Sequence, residues 1–350
     1  MLPAHPQPLP DEILSSWMVR LAFENGYSIH TFYANLLRCK LPIWTRDIDR
    51  HPHPAILALL ERQTGQSVEA LRLRTLQCYE GLIYDVLPQF GNAAWVRPAG
   101  VFHRDRRRAG MQFCPACLAD DRVPYFRLRW RLAFYGLCHI HGTCMLDCCP
   151  WCGSPVMFHR HGIGRDRVIP HATLCLCSVC NADLREAPVA PPTWQDHASL
   201  QRYIDVCQLF SHRHWDCGEF TPGCSISFFH GLRVLLAALS GRFGIRIRPY
   251  LADLGIELNG MMGLPKVDYE YYRTAEQRQL MLTVMWLLEG WPARFLDVCY
   301  ARQLTRSRLT SIEPELPYWL YRVAADYLDQ RQYWPCEQEL RAAAPYLERR

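Results

Sequence analysis

Cys114-Pro115-Ala116-Cys117, Cys138-His139-Ile140-His141, Cys149-Pro150-Trp151-Cys152-Gly153 and Cys177-Ser178-Val179-Cys180 are four close ligand pairs within 67 residues, and they decide how the middle of this chain folds. Two residues between ligands let the backbone turn back so that both side chains face one ion, and two such corners complete a tetrahedron. Twenty residues separate the first pair from the second, and 24 separate the third from the fourth. That spacing predicts one zinc on Cys114, Cys117, Cys138 and His141, and another on Cys149, Cys152, Cys177 and Cys180. Four protein ligands each leave no open position for a reactive water, so both ions are expected to be structural.

The register is less constrained than the existence of the sites. Cys148 can replace Cys149, Cys175 can replace Cys177, and Cys144 is spare. His139 is a poor ligand beside Cys138 and is expected to be exposed or hydrogen-bonded. His212, His214, Cys217 and Cys224 also cluster, but their spacing fits no common zinc pattern.

Around the first pair lies a concentration of arginine. From Arg97 to Arg131 nine arginines face only Asp105, Asp120 and Asp121, an excess of six where the whole chain carries +5. Arg104, Arg106, Arg107 and Arg108 form the densest run. Arg127, Arg129 and Arg131 alternate with Leu128, Trp130 and Leu132, as on a strand with one wet basic face. Such a face can follow phosphates or meet an acidic protein, while a merely solvated face is the default reading.

Outward from this centre the chain reads as helical. Pro10-Asp11-Glu12 opens a helix that Asn25-Gly26 closes, with Ile13, Leu14, Trp17 and Leu21 at helical spacing. Ser28 caps a second helix through Leu37. A stretch from Pro54 to Gln63, the turn Thr64-Gly65-Gln66 and a helix from Ser67 to Tyr79 bearing Arg72 and Arg74 form a helix-turn-helix pattern, which serves recognition or a purely structural bundle. Beyond the proline-rich linker Ala187–Pro192, Gln277 to Leu288 is a helix apolar on one face, stopped at Gly290. Pro292 suits the first turn of the next helix, and Pro317 to Leu328 suggests another. The expected architecture is mainly α: residues 1–100 helical, 101–187 a tandem zinc-binding region of the finger or ribbon kind, 194–350 helical again.

Composition sets the class. Half the residues are hydrophobic, which excludes a disordered tail. No apolar run is long enough to span a membrane, and the N-terminus lacks the pattern of a signal peptide. A soluble, cytosolic protein is predicted, in which 17 cysteines point to metal rather than disulfides. The only lysines, Lys40 and Lys266, follow Cys39 and Pro265, so no P-loop is present. A zinc-hydrolase signature is missing too. A non-enzymatic role is expected.

The run Cys114-Pro115-Ala116-Cys117-Leu118-Ala119-Asp120-Asp121, then Pro124-Tyr125, Trp130-Arg131-Leu132, Cys138 and His141-Gly142, resembles the TniQ family. So do Pro10-Asp11-Glu12 through Ser15-Ser16-Trp17 and Arg20-Leu21-Ala22, and the second-site corner at Cys149. The likeness spans roughly residues 8 to 184. It implies a bacterial target-selection component of a transposon, an adaptor linking a target-bound complex to an AAA+ ATPase that recruits the transposase. In CRISPR-associated transposons such proteins bind the RNA-guided Cascade complex as a head-to-tail homodimer, with the helix-turn-helix region contributing to assembly. Longer relatives read a DNA site directly. A stand-alone, sequence-specific zinc-containing DNA regulator is the competing expectation.

Overall fold

The computed structural model describes residues 1–44, 46–99, 110–161, 173–194, 196–209, 225–253, 268–329 and 336–347. The fold is mainly helical, as the periodicity predicts. Its only named strands among the described residues are β1 (Leu137–Cys138) and β2 (Thr143–Cys144), an antiparallel pair.

The N-terminal helix α1 runs Leu14–Glu24, three residues later than Pro10-Asp11-Glu12 suggested. Asp11 has a positive φ of 54°, and Glu12 pairs with Arg127 in an isolated bridge. The reason lies in tertiary pairing: Ile13 N–H donates to the Phe126 carbonyl and Leu128 N–H to the Asp11 carbonyl. A buried bidentate pair then holds the entry. The Arg20 guanidinium donates to both Glu12 oxygens at 2.7 Å, while Ser16 accepts from Phe126 N–H at 3.0 Å. Trp17 is fully buried and donates to the Pro6 carbonyl at 2.8 Å. The Pro-Asp-Glu and Ser-Ser-Trp motif is thus the joint between the N-terminus and the cysteine-rich segment.

The second helix, α2 (Ile29–Thr31), follows Ser28 and continues as a wider π turn over Phe32–Leu36. Helix α3 (Pro54–Thr64) ends at Gly65, whose left-handed φ of 76° suits a residue without a Cβ. Helix α4 is shorter than the sequence reading. It covers Val68–Arg72, with Ser67 capping through the Ala70 N–H, and Thr75 then starts a separate 3₁₀ turn at Leu76–Tyr79.

Helix α5 (Pro115–Asp120) carries the first metal corner. The C-terminal segment packs α6 (His197–Gln208), α7 (Ser225–Ser240), α8 (Arg242–Asp253), α9 (Thr274–Leu288), α10 (Ala293–Ala301), α11 (Arg306–Ile312), α12 (Tyr318–Tyr327) and α13 (Glu337–Leu347). Helix α9 is buried on nearly every side rather than along one face, the condition of a core helix. Gly231 in α7 admits the Trp319 ring of α12, which occupies the space a Cβ would take.

One buried cluster runs through all three sequence segments. Trp95 meets Phe134, Phe229 and Tyr269 edge-on at 5.5–5.7 Å. Beside it, the buried Arg97 reaches Asp147 at 3.0 Å, and also Gln277. Asp147 in turn accepts from Arg273 at 2.8 Å and from Thr274 N–H at 2.9 Å. No single helix among the described residues is long and apolar enough to cross a membrane.

Candidate metal centres

The first centre joins a helix start to a hairpin turn. Pro115 occupies the first turn of α5, where a missing N–H costs nothing, and Cys114 precedes it with its sulfur accepting from Cys117 N–H at 3.4 Å. Opposite, β1 and β2 are joined through His139–Gly142, so Cys138 and His141 face back towards α5. Gly142 closes that turn with a φ of 62° and an N–H bond to the Cys138 carbonyl at 2.8 Å. His141 Nδ1 lies 3.6, 3.3 and 3.5 Å from the sulfurs of Cys114, Cys117 and Cys138. The Cys117 and Cys138 sulfurs are 3.5 Å apart. A tetrahedral ion with bonds of about 2.3 Å to sulfur sets edges of roughly 3.8 Å, so the four atoms stand close to a ready coordination shell.

Two further observations fit a cation. The three sulfurs crowd one point, and contacts with Cys117 and Cys138 hold the Cys114 thiol far below its ordinary value, which gathers negative charge there. A divalent ion relieves it by accepting all three as thiolates. Asp120, at the far end of α5, pairs with His141 Nε2 at 2.8 Å. That contact leaves Nδ1 free to bind metal and fixes the ring plane. The sequence reading missed Asp120, although its place six residues after Cys114 on a short helix was a usable signal.

The second centre is built from two copies of one turn. Gly153 N–H bonds to the Cys149 carbonyl, and Asn181 N–H bonds to the Cys177 carbonyl, each at 2.9 Å. Gly153 and Asn181 both have left-handed φ values, 67° and 62°. The bridges Cys148 to Pro155 and Leu176 to Asp183 pin the turns as miniature hairpins. Sulfur separations are 3.6 Å for Cys149–Cys180 and for Cys152–Cys177. In both groups all ligand atoms lie within 4.8 Å of one another, so each could hold a metal ion.

The register is thereby resolved. Cys148, at an isolated bridge to Pro155, instead receives Arg273 at 3.0 Å, Cys175 is buried outside the group, and Cys144 belongs to β2. His139 is hydrogen-bonded to the Tyr135 hydroxyl at 2.8 Å. The cluster at His212, His214, Cys217 and Cys224 lies outside the described residues, as do Arg104, Arg106, Arg107 and Arg108.

The alternating arginines correct the sequence reading. Arg127, Arg129 and Arg131 do not lie on a strand, because Leu128–Arg131 is a 3₁₀ turn. Nor do they form a wet face. Arg127 pairs with Asp121 at 2.7 Å, Arg129 with Asp11 at 2.5 Å, and the buried Arg131 with Asp47 at 2.6 Å and Asp49 at 3.3 Å. Asp121 is local and was in the charge count, but Asp11, Asp47 and Asp49 come from distant sequence, so a local count could not find them. Arg74 is half-buried and donates to the Leu9 carbonyl at 2.7 Å, whereas Arg72 is exposed.

Residues 3–145 match the family model described as TniQ. The match contains the N-terminal joint and the whole first metal centre, and stops before the second. No curated protein matches the chain.

Proposed function

We propose, from the match of residues 3–145 to the TniQ family model, that this chain is a transposition-associated, non-catalytic target-selection adaptor. In this reading it links a target-DNA-bound complex, an RNA-guided Cascade being one such complex, to an AAA+ transposition ATPase. The observation that carries it is the coincidence of the match with a built unit: Leu14 and Trp17 of the N-terminal joint and Cys114, Cys117 and Cys138 of the first centre belong to one buried cluster. Both centres hold zinc, since sulfur-rich tetrahedra suit that ion, and with four protein ligands each zinc ties chain segments together rather than activating water. A head-to-tail homodimer would present two copies of each docking surface; a stable interface of that kind buries more than ~1,000 Å².

Helix α4, with only five residues, is short for a recognition helix, which favours partner docking over reading a groove. Arg72 is the clean probe, because Arg74 is tied to the N-terminal backbone. Arg72→Glu should weaken recruitment to the target complex while metal content stays unchanged. Light scattering and a pull-down with the cognate ATPase test the reading. A monomer that ignores the ATPase yet protects one defined DNA sequence would establish the regulator instead.

A further inference from the structure

Far along the sequence from both metal centres, and outside the residues the family model covers, α7, α8, α11 and the turn after α10 wall a pocket of about 440 Å³. Arg246, Arg302 and Arg308 line it, and no described lining residue is acidic. Other arginines of this half behave differently: Arg294 pairs with Asp196, Arg306 with Asp329 and Arg322 with Asp326. Gln303, with a left-handed φ of 54°, ends α10 and turns the chain into α11, which brings Arg302 and Arg308 to the same cavity. Arg302 Nε is buried and donates to no described group, while its guanidinium lies 5.7 Å from the centre of the Tyr250 ring. A buried donor without an acceptor keeps its desolvation cost uncompensated, so a ligand that accepts from it is favoured.

We propose that this pocket binds backbone phosphates of a nucleic acid. Guanidinium forks match phosphate oxygens in pairs, and three of them gathered without a described counter-charge complement an anion. The pocket is also open and partly apolar: Ile245 is 62% exposed and Ile312 38%. Such surface suits the sugar edges of a polymer better than a lone phosphate ion. The choice of nucleic acid over an acidic protein rests on the transposition reading above.

The test uses the 350-residue chain loaded with zinc and a triple variant, Arg246→Gln, Arg302→Gln and Arg308→Gln. Fluorescence anisotropy is read against a labelled mixed-sequence single-stranded RNA and a labelled DNA duplex across a salt series. Each lost phosphate contact flattens the slope of log affinity on log salt by roughly 0.9 for duplex and 0.7 for single strands. Three contacts therefore give a change of about 2.7 for the duplex or about 2 for the RNA; for the duplex, a fourfold rise in salt then weakens the native protein about 40-fold more than the variant. Whichever probe shows the change names the nucleic acid. Unchanged affinity and slope for both probes would overturn the proposal, and so would competition by an acidic peptide alone. Circular dichroism and zinc content confirm the fold. If the triple variant fails to fold, Arg308→Gln alone, on an exposed side chain, must still shift the slope by roughly one contact. ATPase binding is measured on the same samples: its loss in the native protein sinks the adaptor reading, not the pocket.

Discussion

Replacing Asp147 with Asn perturbs the point where all three sequence segments meet. Asp147 Oδ2 accepts from Arg97 at 3.0 Å, Arg273 at 3.1 Å and Thr274 N–H at 2.9 Å, and Oδ1 accepts from Arg273 at 2.8 Å. Asn keeps the shape but offers one acceptor oxygen, and it leaves Arg97, whose side chain is fully buried, without its countercharge. Burial opposes ionisation of Asp147, yet Arg97, Arg273 and the Thr274 N–H outweigh it and bring the carboxyl down to about 2. Against an unfolded value of about 3.9, that difference contributes roughly 2.6 kcal/mol at neutral pH. Breaking a buried pair by removing one partner costs roughly 3–5 kcal/mol by comparison, so a loss of about 3 kcal/mol is expected. The sign of the pH dependence follows from the depressed value. The contribution is complete above the unfolded value and is lost as pH falls from about 4 towards about 2. Urea unfolding of the native and Asp147→Asn proteins, followed by tryptophan fluorescence in zinc, should show a constant gap from neutral to mildly acidic pH that closes in acid. A gap under about 1 kcal/mol at neutral pH, or one indifferent to acid, would refute the reasoning.

Elemental analysis of the purified chain should find two zinc ions, and Cys117→Ser and Cys152→Ser should each release one with loss of order in the central segment, because metal binding here is folding free energy. Soluble native protein with one ion or none would contradict the pairing. Asp120→Asn should weaken only the first centre; with its carboxylate 74% exposed, the effect should sit near the low end of the range for outer partners, about tenfold, in a chelator competition. An equal loss at both centres, or none at the first, would remove Asp120 from that role.

Much of the metal chemistry was legible in sequence because a tight turn is a local object. Cys-x-x-Cys brings two side chains together within one bend, so the eight residues that the fold gathers into two candidate metal groups could be named before any fold was known. Helix ends at Gly65, Gly290 and Pro317 were readable for the same reason: caps depend on a few neighbouring residues. Register was not. Cys148 and Cys149 are chemically identical, and only the folded turn, with Cys148 bridged to Pro155, sets one in the candidate metal group and the other against Arg273. The arginines show the limit most clearly. A run of positive charge predicts a wet face when its neighbours in sequence are counted, but Asp11, Asp47 and Asp49 arrive from the N-terminal segment and bury it. Those carboxylates offset the cost of taking guanidinium groups out of water, a balance decided by distance in space. Sequence alone determined which atoms could grip an ion; tertiary packing decided which charges face solvent, because desolvation and pairing act between residues far apart in the chain.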